Sequence, residues 1–161
     1  MIVTRPAIPP PPYHGGCLCG AVRYRLEARP LAINACHCND CRKLTGAANL
    51  LMIIAVRNRF HQEKGATDSW RKTADSGKRI DIVRCKVCGT RLWHEPMASP
   101  ALIFIAAGTL DHSDWVVPAS HIWVEKAGPG THFHPDALKV EGQPANREML
   151  MDAFVKLYGK Y

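Results

Sequence analysis

The sequence GGCLCG at residues 15–20 places two cysteines two positions apart, with glycines on either side. In an extended chain, side chains at positions i and i+2 point to the same face, so Cys17 and Cys19 can converge on one metal ion. The flanking glycines let the backbone turn closely around such an ion. This stretch therefore predicts half of a metal site.

A second cysteine pair, Cys85 and Cys88, has the Cys-x-x-Cys spacing of a zinc knuckle. Gly89 follows it and tolerates the positive φ that often ends this kind of turn. Together the two pairs predict a closed, tetrahedral, structural zinc site with four thiolates. The site joins distant parts of the chain, so loss of zinc should destabilise much of the fold.

Three further cysteines, Cys36, Cys38 and Cys41, stand within six residues. Three thiolates around one ion leave the fourth tetrahedral position open, which is typical of a zinc ion that takes part in chemistry. Alternatively, His37, Asp40 or a distant histidine closes this site as a fourth ligand. We expect His37 to point away from the metal instead.

Three thiolates give a zinc centre a net negative charge and weaken its ability to activate water. Binding and deprotonating a substrate thiol suits such a centre better, because a coordinated thiol loses its proton. Arg42 and Lys43 follow the cluster directly and are candidates to contact an anionic thiol.

The chain has 161 residues, of which 47% are apolar and 22% are charged, as expected for one packed domain. Four prolines at residues 9–12 favour an extended arm over residues 1–13, followed by a single zinc-binding domain over residues 14–161. The longest apolar run, residues 50–56, is too short to span a bilayer, and no secretory signal is evident. We therefore predict a cytoplasmic protein with no membrane partner.

Cysteine number and charge narrow the choice of partners. Seven cysteines in a chain without a secretory signal argue against a disulfide framework and favour metal binding. The formal net charge is +7, but the basic residues are scattered and form no long run. This pattern suits anionic small molecules and does not support a nucleic-acid partner. The oligomeric state is left open.

Hydrophobic periodicity predicts a mainly β protein. Val22, Tyr24 and Leu26 alternate with polar residues, and residues 50–56, 80–82, 102–107 and 121–125 are further strand candidates. Apolar residues with helical spacing predict one C-terminal helix, with Pro144 in its first turn and Gly159 as its C-cap. The apolar positions of this helix are Leu150, Ala153, Phe154, Leu157 and Tyr158.

Four motifs together resemble the glutathione-dependent formaldehyde-activating enzyme family, which also includes centromere protein V. They are GGCLCGAVRY at residues 15–24, CHCNDCRKLTGA at 36–47, CKVCGT at 85–90 and HIW at 121–123. The resemblance implies a zinc-stabilised β-tent of folded-over antiparallel sheets. It also implies a structural zinc at Cys17, Cys19, Cys85 and Cys88, and a second, catalytic zinc at Cys36, Cys38 and Cys41.

The resemblance further implies an activity. The family's name-giving reaction condenses formaldehyde with glutathione to S-hydroxymethylglutathione, and it is classed as a carbon–sulfur lyase reaction. We therefore expect a thiol and a small aldehyde as substrates. The alternatives are a zinc-dependent lyase or hydrolase that acts on another small molecule, and a non-catalytic zinc-binding module of the centromere protein V type.

Overall fold

The computed structural model describes residues 7–74 and 77–160, which contain eleven strands, two α-helices and three single turns of 3-10 helix. The first six residues of the predicted arm lie outside these ranges. Contacts divide the described residues into a first unit with residues 7–8, 31–52 and 115–160, and a second unit with residues 9–30 and 53–114. Within the described residues, none of the helices has the length and apolar character needed to cross a bilayer.

The helices are α1 (Asn39–Thr45) and α2 (Glu148–Tyr158). The strands are β1 (Tyr13–Gly16), β2 (Arg23–Leu26), β3 (Ala32–Cys36), β4 (Leu50–Val56), β5 (Phe60–Lys64), β6 (Thr67–Thr73), β7 (Arg79–Cys85), β8 (Arg91–Pro96), β9 (Leu102–Ala106), β10 (Ser120–Ile122) and β11 (Leu138–Val140). The mainly β fold class with a C-terminal helix is confirmed. The division into an arm and one domain stays a prediction.

Parallel pairing distinguishes the first unit. Its strand order includes β11-β10-β3, and β10 pairs in parallel with both neighbours. Ile122 lies opposite Cys36 in this register. These two parallel pairings differ from the antiparallel sheets implied by the resemblance. They arise because the chain returns to β3 after a long excursion, and such a return allows parallel pairing where a short hairpin does not.

Helix α2 confirms the predicted C-terminal helix, since Leu150 and Phe154 are buried. Gly159 ends the helix with a φ of 78°, and its N–H donates to the carbonyl of Val155 at 2.8 Å. The predicted start at Pro144 is wrong, because the helix begins four residues later. There the N–H of Met149 donates to the Oδ1 of Asn146 at 3.1 Å, which satisfies one of the N–H groups that the first helical turn leaves free.

The second unit contains an antiparallel run of strands in the order β9-β8-β7-β6 and a three-stranded antiparallel sheet in the order β1-β2-β5. The predicted alternation along β2 is confirmed, because Val22, Tyr24 and Leu26 are fully buried. Gly15 in β1 has to be a glycine, since a Cβ there would lie 2.4 Å from the Tyr24 ring. Cys17 follows this strand directly.

Several elements escaped sequence reasoning or end earlier than predicted. The strand predicted over residues 121–125 stops at Ile122, because Trp123 adopts a left-handed backbone with a φ of 58°. Strand β6 is largely exposed and polar, so it lacks the alternation that marks a half-buried strand. The strand predicted over residues 50–56 is observed as β4, whose first three residues belong to the first unit.

Candidate metal centres

The second unit brings four cysteines together. Cys17 and Cys19 follow β1, Cys85 ends β7, and Cys88 lies in the turn beyond it. Their four Sγ atoms lie within 4.8 Å of one another, with 3.5 Å between those of Cys17 and Cys19 and 3.9 Å between those of Cys19 and Cys85. The group could therefore hold one metal ion.

Two similar glycine-containing turns position these cysteines. Gly20 has a φ of 75°, and its N–H donates to the carbonyl of Cys17 at 3.0 Å. Gly89 has a φ of 72°, and its N–H donates to the carbonyl of Cys85 at 3.0 Å, which confirms the predicted positive φ. Each glycine reverses the chain just after a cysteine pair, in a conformation that other residues rarely adopt.

Hydrogen-bond donors favour the thiolate form of two of the four cysteines, Cys17 and Cys88. The N–H of Ala21 lowers the pKa of Cys19, but the hydrogen bonds with Cys17 and Cys88 outweigh it and raise that pKa to about 11. Burial raises the pKa of Cys17, but the N–H of Val22, 3.1 Å from its Sγ, and the neighbouring thiols outweigh burial and lower that pKa. The Thr90 hydroxyl, 3.1 Å from the Sγ of Cys88, lowers the pKa of Cys88 to about 5, with help from backbone N–H groups. The chain therefore supplies part of the charge stabilisation that metal ligands need.

The first unit brings the other three cysteines together. Cys36 ends β3, Cys38 precedes α1, and Cys41 lies in the first turn of that helix. Their Sγ atoms lie within 4.8 Å of one another, so this group too could hold a metal ion. Among residues 7–74 and 77–160, no histidine or carboxylate joins either group at this distance.

Helix α1 shapes the three-cysteine group, and it was not predicted. Cys38 is its N-cap, and the Sγ of Cys38 accepts a hydrogen bond from the N–H of Cys41 at 3.3 Å. Gly46 ends the helix with a φ of 65°. The three-residue spacing from Cys38 to Cys41 and the glycine five residues later are signals that could have revealed this short helix.

The three thiols of this group differ in pKa. Thiol hydrogen bonds from Cys36 and Cys41 lower the pKa of Cys38 to about 2, and the N–H groups of Cys41 and Asp40 add to this effect. The hydrogen bond with Cys38 raises the pKa of Cys36 to about 12, and the pKa of Cys41 is also raised. Close sulfurs without a cation cannot all ionise, because their negative charges repel one another. A bound cation would remove this limit.

A buried pair of histidines flanks the three-cysteine group. The His37 Nε2 lies 3.0 Å from the His121 Nδ1, and the two rings stack with their centroids 5.3 Å apart. Phe133 meets both rings edge-on, at centroid distances of 5.6 and 4.9 Å. Burial lowers the pKa of His37, and the positive charge of Arg42 adds to this effect. The ring of His37 therefore faces His121, as expected for a residue that points away from the metal.

The end of β10 lies beside the same group. The N–H of His37 donates to the carbonyl of Ile122 at 3.0 Å, and Trp123 follows with its left-handed backbone. The Arg42 Nη1 lies 3.4 Å from the carbonyl of Lys126, which connects α1 to the turn after Trp123. Sequence reasoning named Arg42 near the site but missed this contact, because it depends on residues 84 positions away.

Comparisons with known proteins show which family the chain resembles. The family model described as "Glutathione-dependent formaldehyde-activating enzyme" matches residues 12–126. A Halomonas elongata protein named "Putative glutathione-dependent formaldehyde-activating enzyme" is 25% identical over 143 residues, which represent 83% of each chain. A crystal structure of a Rhodobacter sphaeroides protein is similar with a TM-score of 0.49 and 19% identity, over 61% of this chain and 87% of that chain.

Proposed function

Because the chain belongs to the glutathione-dependent formaldehyde-activating enzyme family, we propose that it joins a small thiol to a small aldehyde as a carbon–sulfur lyase-type enzyme. Glutathione and formaldehyde are the proposed substrates. The three-cysteine group is the observation that carries this proposal, since among the described residues no fourth protein ligand joins it. A metal ion held there would keep a position open for a substrate.

The donor atoms of both groups fit zinc, which thiolates bind well and which is almost always four-coordinate in structural protein sites. We propose two zinc ions per chain. Cys17, Cys19, Cys85 and Cys88 would surround one ion completely and give it a structural role. Cys36, Cys38 and Cys41 would hold the other and serve as the catalytic ligands.

Zinc in the three-cysteine group would supply a positive centre that favours the thiolate form of an incoming thiol. The side chains around the group have separate roles. Cys38 is the N-cap of α1 and is oriented by the hydrogen bond that its Sγ accepts from the N–H of Cys41. His37 is oriented by its buried contact with His121. Arg42 and Lys43 on α1 give positive charge that suits the carboxylates of glutathione.

The proposed reaction is an addition and needs no oxidant or reductant. A sulfur–carbon bond forms between the thiol and the aldehyde carbon, the carbonyl π bond opens, and the thiol proton ends on the former carbonyl oxygen. The reverse reaction breaks the same carbon–sulfur bond. Holding both reactants together lowers the entropic cost of the encounter, which is the main gain expected from such a site.

Nuclear magnetic resonance can follow formation of the glutathione–formaldehyde adduct with and without the zinc-loaded protein, at matched pH and thiol concentration. We expect faster formation with the wild-type protein and the buffer rate with Cys38→Ser. Asn39→Ser changes an exposed neighbour on the same helix and serves as the matched control, which should keep the wild-type rate. S-methylglutathione has no thiol and should form no adduct.

Cobalt substitution gives a second, independent readout, because thiolate coordination produces intense absorption bands. We expect glutathione to shift these bands in the wild-type protein and S-methylglutathione to shift them less. If glutathione changes neither the spectrum nor the rate, the proposed substrates are wrong. The family membership and the two cysteine groups would still hold, and another small electrophile would then be tested.

A further inference from the structure

Strand β6 forms one edge of its sheet. Among the strands that the structure describes, β6 comes last in the order and pairs only with β7. Its seven residues are mostly exposed, and Trp70 at its centre has 53% of its surface exposed. A long edge strand with a large exposed aromatic residue is a surface on which another strand can pair.

The hydrogen bonds of β7 show which backbone groups of β6 face the free side of that strand. The N–H of Lys86 donates to the carbonyl of Ala66, and the N–H of Cys85 donates to the carbonyl of Thr90 on the opposite side. Because antiparallel ladders alternate, the even-numbered residues of β6 bond to β7 and the odd-numbered ones face the free edge. The outward N–H and C=O groups belong to Thr67, Ser69, Arg71 and Thr73. The N–H of Ser69 donates to the Oδ1 of Asp68 at 2.9 Å, and a pairing strand would replace this exposed local hydrogen bond.

The charges of β6 are arranged symmetrically about Trp70. Asp68 lies two residues before Trp70 and Lys72 lies two residues after it, so all three side chains share one face of the sheet. Arg84 lies opposite Asp68 on β7, and the ion pair between them shows that the side chain of Asp68 lies on the same face as that of Arg84. A two-fold axis perpendicular to the sheet at Trp70 would place Asp68 of one copy opposite Lys72 of the other.

The same axis would also give hydrogen-bond partners to the outward N–H and C=O groups of β6. It would pair Ser69 with Arg71 of the second copy, and Thr67 with Thr73 of the second copy, which are the residues with outward N–H and C=O groups. The two Trp70 residues would then form a non-hydrogen-bonded pair, in which side chains approach most closely. Charge, backbone polarity and the aromatic centre therefore agree on a single register.

We propose that this chain forms a two-fold symmetric dimer in which β6 pairs antiparallel with β6 of a second copy, centred on Trp70. The interface comprises backbone hydrogen bonds, the two Trp70 rings and two Asp68–Lys72 ion pairs. One strand pair buries less surface than a standard stable interface, so the dimer forms in a concentration-dependent equilibrium.

Sedimentation equilibrium over a range of concentrations measures the mass directly. We expect the zinc-loaded wild-type protein to move from the 17.9 kDa chain mass towards twice that mass as concentration rises. Asp68→Lys and Lys72→Asp each place like charges opposite one another, and each should weaken self-association about tenfold or more. An equimolar mixture of these two variants restores both opposite-charge pairs and should form the heterodimer.

Two more variants keep the test independent of these charges. Ser69→Pro removes an outward N–H that bonds to the exposed Asp68 side chain and not to β7, so it should leave the fold intact and abolish pairing. Glu63→Lys is the matched control, because it reverses a charge and breaks the exposed ion pair with Arg25 elsewhere in the second unit. It should associate like the wild type. Far-ultraviolet circular dichroism checks that each variant is folded.

Three results would contradict the proposed dimer or its register. A wild-type protein that stays at the mass of one chain at every concentration overturns the proposal. So does a dimer that persists in folded Asp68→Lys and Ser69→Pro variants, because such a dimer uses another surface. Failure of the mixed variants to associate would rule out the Trp70-centred register.

Discussion

At the scale of single residues, the buried contact between His37 and His121 links the chain around the three-cysteine group to β10. His37 lies between two of the clustered cysteines and is fully buried, while His121 is 4% exposed. A buried ring nitrogen needs a hydrogen-bond partner, so each imidazole stabilises the position of the other. This contact therefore fixes one side of the candidate metal site.

We predict that His121→Ala lowers the free energy of unfolding by about 2–3 kcal/mol, because it removes packing against Phe133 and leaves the His37 Nε2 without its partner. Urea denaturation of the zinc-loaded protein measures this loss. His132→Ala is the control, since His132 is exposed and its removal should change stability by less than about 0.5 kcal/mol. Equal stability of the two variants would contradict the structural importance of the pair.

At the scale of secondary structure elements, the two cysteine groups differ in how far apart in the sequence the segments are that each group joins. The four-cysteine group connects the turn after β1 with the end of β7, and Cys19 and Cys85 are 66 residues apart in the chain. The three-cysteine group lies within six residues where β3 meets α1. A metal ion in the first group would close a long loop, whereas one in the second would order only a local turn.

We predict that Cys85→Ser and Cys38→Ser differ in their effect on the fold. Structural zinc contributes folding free energy on the order of 10 kcal/mol in small zinc domains, so Cys85→Ser should give unfolded or insoluble protein. Cys38→Ser should stay folded and lose one of two zinc ions. Circular dichroism melting and elemental analysis test both statements. Identical melting curves for the two variants would contradict the division into structural and reactive sites.

At the scale of the whole molecule, electrostatics set how stability depends on pH. Arginine partners lower the pKa of Asp68, Asp81 and Asp111, but these ion pairs are partly exposed, so each contributes little. His94 on β8 differs, because it is buried. Burial, with the charges of Arg91 and Lys72, lowers its pKa from 6.5 to about 3.

We predict that His94 makes the protein less stable as the pH falls from about 6.5 towards 3. In this range the unfolded chain binds a proton at His94 and the folded chain does not, so the stability decreases by up to about 1.4 kcal/mol per pH unit. Urea denaturation at several pH values measures the slope. His94→Gln should reduce this slope by nearly the amount that corresponds to one bound proton. The exposed control His132→Gln should leave the slope unchanged. An unchanged slope in His94→Gln would show that other groups dominate.

Sequence alone was sufficient where the information is local. The alternation of Val22, Tyr24 and Leu26 identified β2, and the helical spacing of Leu150 and Phe154 identified α2. The three-cysteine group and each of the two cysteine pairs in the other group were predicted from spacing, since ligands on one short turn meet without help from the rest of the chain. These features depend on residues a few positions apart, so their periodicity records the structure directly.

Tertiary structure decided the features that depend on distant residues. His121 meets His37 across 84 positions, and the left-handed Trp123 ends β10 where the apolar pattern continues. Strand β6 has the exposed, polar sequence of a loop, yet it is a strand because β7 supplies its hydrogen-bond partners. Strand pairing and buried polar contacts satisfy backbone and side-chain groups between separate segments, and no periodicity within one segment specifies which partner it will meet.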